Sequence, residues 1–110
     1  MKALKRTLTL PIFDQEVVVD VDFRVIEVVE RTFDMSADAV IAMFGDTRRV
    51  QRHKVADVIV GWLAFHDLGA KRRDIREFVM RSSPDHLTLY VSSIYAALLF
   101  TLRRLRRMCD

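Results

Sequence analysis

Three histidines, one cysteine and three glycines are the residues on which a catalytic, metal or phosphate site in this chain would have to draw. His53, His66 and His86 stand far apart, none lies four residues from another histidine or from Cys109, and neither HExxH nor CxxC occurs. The spacing that metal ligation needs is therefore missing. His66-Asp67 has the residue types of a general-base pair. Its plainer reading is a helix end, where a partly charged imidazole complements the dipole. His53 falls in a charged stretch and His86 in the first turn of a helix, and both read as solvated. Cys109 has no second thiol to join, so it reads as a free thiol at a frayed end, and no disulfide framework or oxidising compartment follows. Gly45, Gly61 and Gly69 are isolated, which excludes a glycine-rich phosphate loop, and there is no GxSxG elbow. Asp14, Asp20, Asp22, Glu27 and Glu30 gather near the start, but nothing selects a catalytic dyad among them. The expectation is a protein without catalytic residues, metal or cofactor: not an enzyme.

Binding chemistry is better represented. Basic residues cluster at Arg48-Arg49 with Arg52 and Lys54, at Lys71-Arg72-Arg73, and at Arg103-Arg104 with Arg106-Arg107. On one face, Arg48, Arg49, Arg52, Lys71, Arg72 and Arg73 could neutralise several phosphates, and such binding would weaken steeply with salt. Aromatic residues are not interleaved with them, so base-stacking platforms are not indicated. The last four arginines suit the negative end of a helix dipole. A nucleic-acid-binding regulator is thus the alternative reading.

The elements that must position these residues can be read from the pattern. With 51% hydrophobic and 30% charged residues in 110, the chain is a globular domain and not a disordered tail. Leu8 and Leu10 alternate with threonines, Val17 to Val21 is a β-branched run, and Phe13-Asp14-Gln15 turns the chain, which predicts a hairpin over about 5–21. Pro11 confines its strand to an edge or an end. From Asp22, a candidate N-cap, Val25, Ile26, Val28, Val29 and Phe33 recur at helical spacing, with Glu27 and Arg31 at i,i+4. Ser36 caps a short second helix that Gly45 stops. Asp46 or Thr47 opens a third helix carried to about Asp67, apolar on nearly all sides from Val55 to Phe65, and hence central. Gly61 inside it predicts a close approach by a neighbour. A fourth helix covers about 72–81, and Ser83-Pro84 starts a fifth that runs to about Arg107. The expected fold is α+β: one domain, an N-terminal β-hairpin packed on a bundle of about five helices (22–107).

In the fifth helix, Leu87, Val91, Ile94, Leu98, Leu102 and Leu105 form a normal inward stripe. That leaves Leu89, Tyr90, Tyr95, Leu99 and Phe100 on other faces, with Ala96 and other small residues between them. Such a surplus apolar face either marks a contact with an oligomer or partner or is covered by the third helix and the hairpin, and the two readings weigh about equally. Leu89, Tyr95, Ala96, Leu99 and Phe100 are accordingly the partner-binding candidates. The apolar run Ile94 to Leu102 is about half of a bilayer span, and the N-terminus lacks a signal-peptide core, so a cytoplasmic protein is expected.

The order of parts carries a resemblance. A hairpin, a helix ending Glu30 to Phe33, a short second helix, and a helix reading Val58-Ile59-Val60-Gly61-Trp62-Leu63 on to Gly69 resemble the tail assembly chaperones of long-tailed phages. The pattern is most similar to the small tail protein of alphaproteobacterial gene transfer agents and related prophages. It covers roughly residues 6–102; the charged stretch Thr47 to Lys54 and the basic C-terminal tail stand outside it. The resemblance implies a non-enzymatic oligomer in the bacterial host cytoplasm that holds the tape-measure protein and recruits tail-tube subunits. Because the family has also been labelled a tail-tube component, a structural role in the particle is a further alternative.

Overall fold

The computed structural model describes residues 6–46, 49–66 and 69–109, the last without its side chain. Strands β1 (Arg6–Ile12) and β2 (Gln15–Val21) form an antiparallel pair in which Ile12 faces Gln15 across a two-residue turn at Phe13-Asp14. No Asn-Gly or Asp-Gly pair makes this turn. Phe13 itself adopts the left-handed conformation, at φ 55°, and its ring rests on Phe78 with centroids 5.2 Å apart. Leu10, Ile12, Val17, Val19 and Val21 face the core, while Val18 faces outward.

The register explains Pro11. Ile12 and Gln15 close the turn, so the next pair, Pro11 with Glu16, is one whose backbone groups point away from the partner strand. The missing N–H of Pro11 therefore costs the hairpin no bond. Its outward carbonyl accepts a hydrogen bond from the Tyr90 hydroxyl. On the other edge, the carbonyl of Asp20 accepts from Trp62 Nε1 at 2.9 Å. Two aromatic side chains thus pin the ribbon to the helices.

Five helices follow: α1 (Arg24–Phe33), α2 (Ala37–Phe44), α3 (Arg52–Leu63), α4 (Arg72–Met80) and α5 (Pro84–Cys109). Helices make up about two thirds of the described residues, so the α+β expectation with a helical majority is met. Several boundaries differ from those expected. Asp22 caps α1 from one residue outside the N-cap position, its Oδ1 accepting the Arg24 backbone N–H at 2.9 Å. Ser36 caps α2 through the Ala39 N–H at 3.2 Å, as expected. Gly45 does end α2, but at φ −63°, so the left-handed freedom of glycine is not used there. The third helix starts at Arg52 and not at Asp46, with Gln51 as its N-cap; Thr47 lies outside the described residues. Between Asp46 and Gln51 only Val50 is a large apolar residue, so a helix there would have no face to bury. That helix also stops earlier, at Leu63 with Ala64 as cap; Asp67 is not among the described residues. Gly69, at φ 65°, makes the turn before α4. Ser83 caps α5, its Oγ accepting the His86 N–H at 3.2 Å.

Helix α3 is the centre of the domain. Val55, Ala56, Val58, Ile59, Trp62 and Leu63 are all buried, and α1, α4 and α5 pack against it. A Cβ on Gly61 would stand 2.7 Å from Val28 Cγ1, so a glycine is what lets α1 lie this close. The inward stripe of α5 also needs correcting. Tyr90, expected off the core, is fully buried, together with Ile94, Ala97, Leu98 and Thr101. The hydroxyls of Tyr90 and Thr101 on this stripe are satisfied, Tyr90 through Pro11 and Thr101 Oγ1 through the carbonyl of Ala97 at 2.7 Å, which removes the penalty of burying them. Leu87, Leu102 and Leu105 are only half-buried.

Candidate protein-binding surface

Two apolar surfaces lie along α5. The first is its outer strip. Leu89 is 42% exposed and Tyr95 37%, and Ala96 is exposed between them while Leu99 is half-buried. Of the five candidates, four therefore share this strip. Phe100 lies on the Leu89 and Ala96 flank of the helix, but it is half-buried and lines a separate groove.

Phe100 belongs instead to a second surface that spacing alone did not reveal. The C-terminal half of α5 and the β2–α1 junction enclose a groove of about 230 Å³, walled by Phe23, Phe100, Leu105 and Met108. Phe23 is 59% exposed and Met108 75%. The Arg6 guanidinium lies 4.3 Å over the Phe100 ring, close enough for cation–π attraction. Asp22, at the edge of this groove, is committed to Arg24, whose Nη2 is 2.7 Å from its Oδ2. The hydrogen bonds from Arg24 hold the Asp22 carboxyl below its ordinary value, against a smaller opposing effect of burial. Phe23 was missed because it stands outside the helical repeat, at the N-cap of α1.

A third hollow, of about 610 Å³, opens between the hairpin tip and the α4–α5 corner, with Phe13, Phe78, Asp14, Glu77 and His86 among its walls. Its acids are exposed, and of the serines in its wall Ser82 donates to the Phe78 carbonyl while Ser83 accepts the His86 backbone N–H.

Two of the basic side chains are engaged by backbone carbonyls. Arg52 is half-buried, and its Nη1 donates to the carbonyls of Ser82 at 2.6 Å and Met80 at 3.3 Å, closing the end of α4. Lys54 likewise donates to the Thr32 carbonyl at 2.9 Å, at the end of α1. Both are structural, which corrects the place given to Arg52 among phosphate-binding candidates. Arg49, Lys71, Arg72 and Arg73 are exposed, and Arg48 lies outside the described residues. Arg76 pairs with Asp57 at 2.8 Å and Arg106 with Asp38 at 3.5 Å.

Among the histidines, His53 and His86 are exposed. His66 follows α3, near the helix end expected for it, with its Nε2 buried and without a hydrogen-bond partner. No group of three metal-ligating side chains is found among the described residues. Helix α5 is long and apolar enough by composition to cross a bilayer. The same property belongs to a core helix, and Tyr90, Ile94 and Leu98 put α5 in the core.

Comparison with protein-family models, with curated proteins and with solved structures returns no match.

Proposed function

We propose that this protein is a non-catalytic, phage-type tail assembly chaperone, working in the cytoplasm of a bacterial host and holding a tape-measure protein for tail-tube subunits to join. The observation that carries the reading is the unpartnered apolar surface of α5: Leu89, Tyr95 and Ala96 on the outside and Phe100 in the groove with Phe23. A client helix laid there would bury apolar side chains that otherwise face water, at about 25 cal/mol per Å² removed. The mechanism is passive shielding, and it needs no acid, base or metal.

Self-association through the hairpin completes the proposal. Thr7 and Thr9 on β1, and Glu16 and Val18 on β2, hold the outward-pointing positions of the register. Such edges are templates for another strand. A strict monomer at micromolar concentration, by mass measurement, would remove this part. Co-expression with a tape-measure protein tests the main part: the client should co-purify and become soluble, and a client that stays insoluble and unbound would overturn it. A structural place in the finished particle would appear as this chain in purified virions. The nucleic-acid alternative keeps Arg49 and the Lys71–Arg73 cluster and requires duplex binding that weakens steeply with salt.

A further inference from the structure

We infer that the outer strip of α5 pairs with the same strip of a second copy of this chain, antiparallel, and that a client must displace this copy. The inference rests on the chaperone reading for the client alone; the pairing stands on the strip itself. Between His86 and Arg103 the helix carries no charged residue on any face. Its outward side is nonetheless exposed there, at Leu89, Ser92, Tyr95 and Ala96. A charge bounds the strip at each end, Asp85 in the first turn and Arg103 beyond Leu99, and both are exposed. Neither makes an ion pair among the described residues, whereas Arg106 is already met by Asp38. Arg103 follows Asp85 by about five whole turns, so the two lie on one line along the helix, about 27 Å apart. Ser92 and Ala96 stand within about 20° of that line. A two-fold axis at the level of Ile94 turns the line onto itself. Asp85 then meets the partner's Arg103 at both ends, and Ser92 comes beside the partner's Ala96 at the centre, with Leu89 and Leu99 on the two flanks. The small central residues let the helix axes approach to about 8 Å. A parallel pair would instead set each charge against its own copy. An unrelated helix has no cause to carry a base and an acid at this separation, but a second copy does so by symmetry. One helix pair falls short of the roughly 1,600 Å² of a standard stable interface, so the dimer is weak enough to exchange.

Sedimentation of the full chain across a wide concentration range tests the pairing, and the parent should form a concentration-dependent dimer. Asp85→Arg and Arg103→Asp, each alone, set like charges against each other at both ends. Since two symmetry-related contacts are reversed at once, either should weaken the dimer by at least about tenfold. Mixed in equal amounts, the two variants regain opposite charges at both ends, and a heterodimer of about parental affinity should form. Both effects should fade in high salt. A folding defect would not be repaired by mixing, and because both side chains are exposed, thermal unfolding of dilute samples should be little changed. Ala96→Glu, at the centre of the strip, should prevent pairing in any mixture. A parent that stays monomeric, single variants that associate as the parent does, or a mixture that fails to pair would each overturn the inference; the second of these would leave self-association to the hairpin edge. A monomer that binds phosphatidylglycerol vesicles through this strip would give it to a bilayer and overturn the inference as well. If a tape-measure client co-purifies with a parent that never dimerises, the chaperone reading stands and this inference falls. If the mixed variants pair but no client co-purifies with any form, the reverse holds.

Discussion

Helices α3 and α5 have similar apolar content and opposite fates. In α3 the apolar residues are used up: α1, α4 and α5 cover them, and Gly61 is kept bare so that Val28 can approach. In α5 the buried stripe contains a tyrosine, a threonine and an alanine, whereas Leu89, Tyr95 and Met108 face water. Residue type alone would assign these the other way round. Burial went to the residues whose polar atoms find partners inside, Tyr90 with Pro11 and Thr101 with Ala97. What remains outside α5 is hydrophobic surface that the fold does not need.

The largest effect should come from breaking α3. Trp62→Ala removes a fully packed indole and its bond to Asp20, and a loss of about 3–5 kcal/mol is expected, read by denaturant unfolding. For a domain of this size that is a large part of the total stability. Gly61→Leu acts at the same place from the opposite side. Its branched side chain must displace Val28, for about 1–3 kcal/mol of over-packing. If either substitution left stability unchanged, α3 would not be the filled helix described.

Tyr90→Phe sharpens the comparison within α5. The ring stays and the hydroxyl goes, leaving the Pro11 carbonyl without its donor, for about 1–2 kcal/mol. It also changes the pH profile. Burial raises the Tyr90 phenol above its ordinary 10.0, outweighing the opposing hydrogen bond of Ser82. The folded state therefore holds the proton more tightly than the unfolded chain. The resulting stability is complete below the unfolded value and is lost as pH rises through the folded one. Parent protein should lose stability at strongly alkaline pH more steeply than Tyr90→Phe, measured as unfolding midpoints against pH.

The contrast also separates what the sequence makes legible from what it does not. Ser36 and Ser83 are readable as caps because cap chemistry is local, and Gly61 is readable as a close approach because glycine inside a helix needs a reason. The hairpin is readable from alternation, although its turn uses Phe13 where glycine or asparagine is usual. The inward position of Tyr90 is not readable, since its partner Pro11 lies across the fold. Arg52 is hidden for the same reason: its carbonyl partners at Met80 and Ser82 are distant in sequence, and one more arginine in a basic run looks solvated. The candidate surface was half legible. Spacing finds the strip of Leu89, Tyr95 and Ala96, whereas the groove exists only because α1 brings Phe23 beside Phe100.

The smallest effect on stability, and the one that decides what the outer strip is for, belongs to Leu89→Ser with Tyr95→Ser. Both side chains are more than a third exposed, so the double change should alter stability by about 0.5 kcal/mol or less. Solubility of the isolated protein should rise, because an apolar patch is removed. If the strip shields a client, the same variant should lose client co-purification while its unfolding curve overlays that of the parent. A variant that unfolds early instead would place Leu89 and Tyr95 with α3, as part of the support of the fold. A variant that keeps both stability and client would leave the groove around Phe23 and Phe100 as the whole binding surface, and the difference between the two helices would then lie entirely in the last turns of α5.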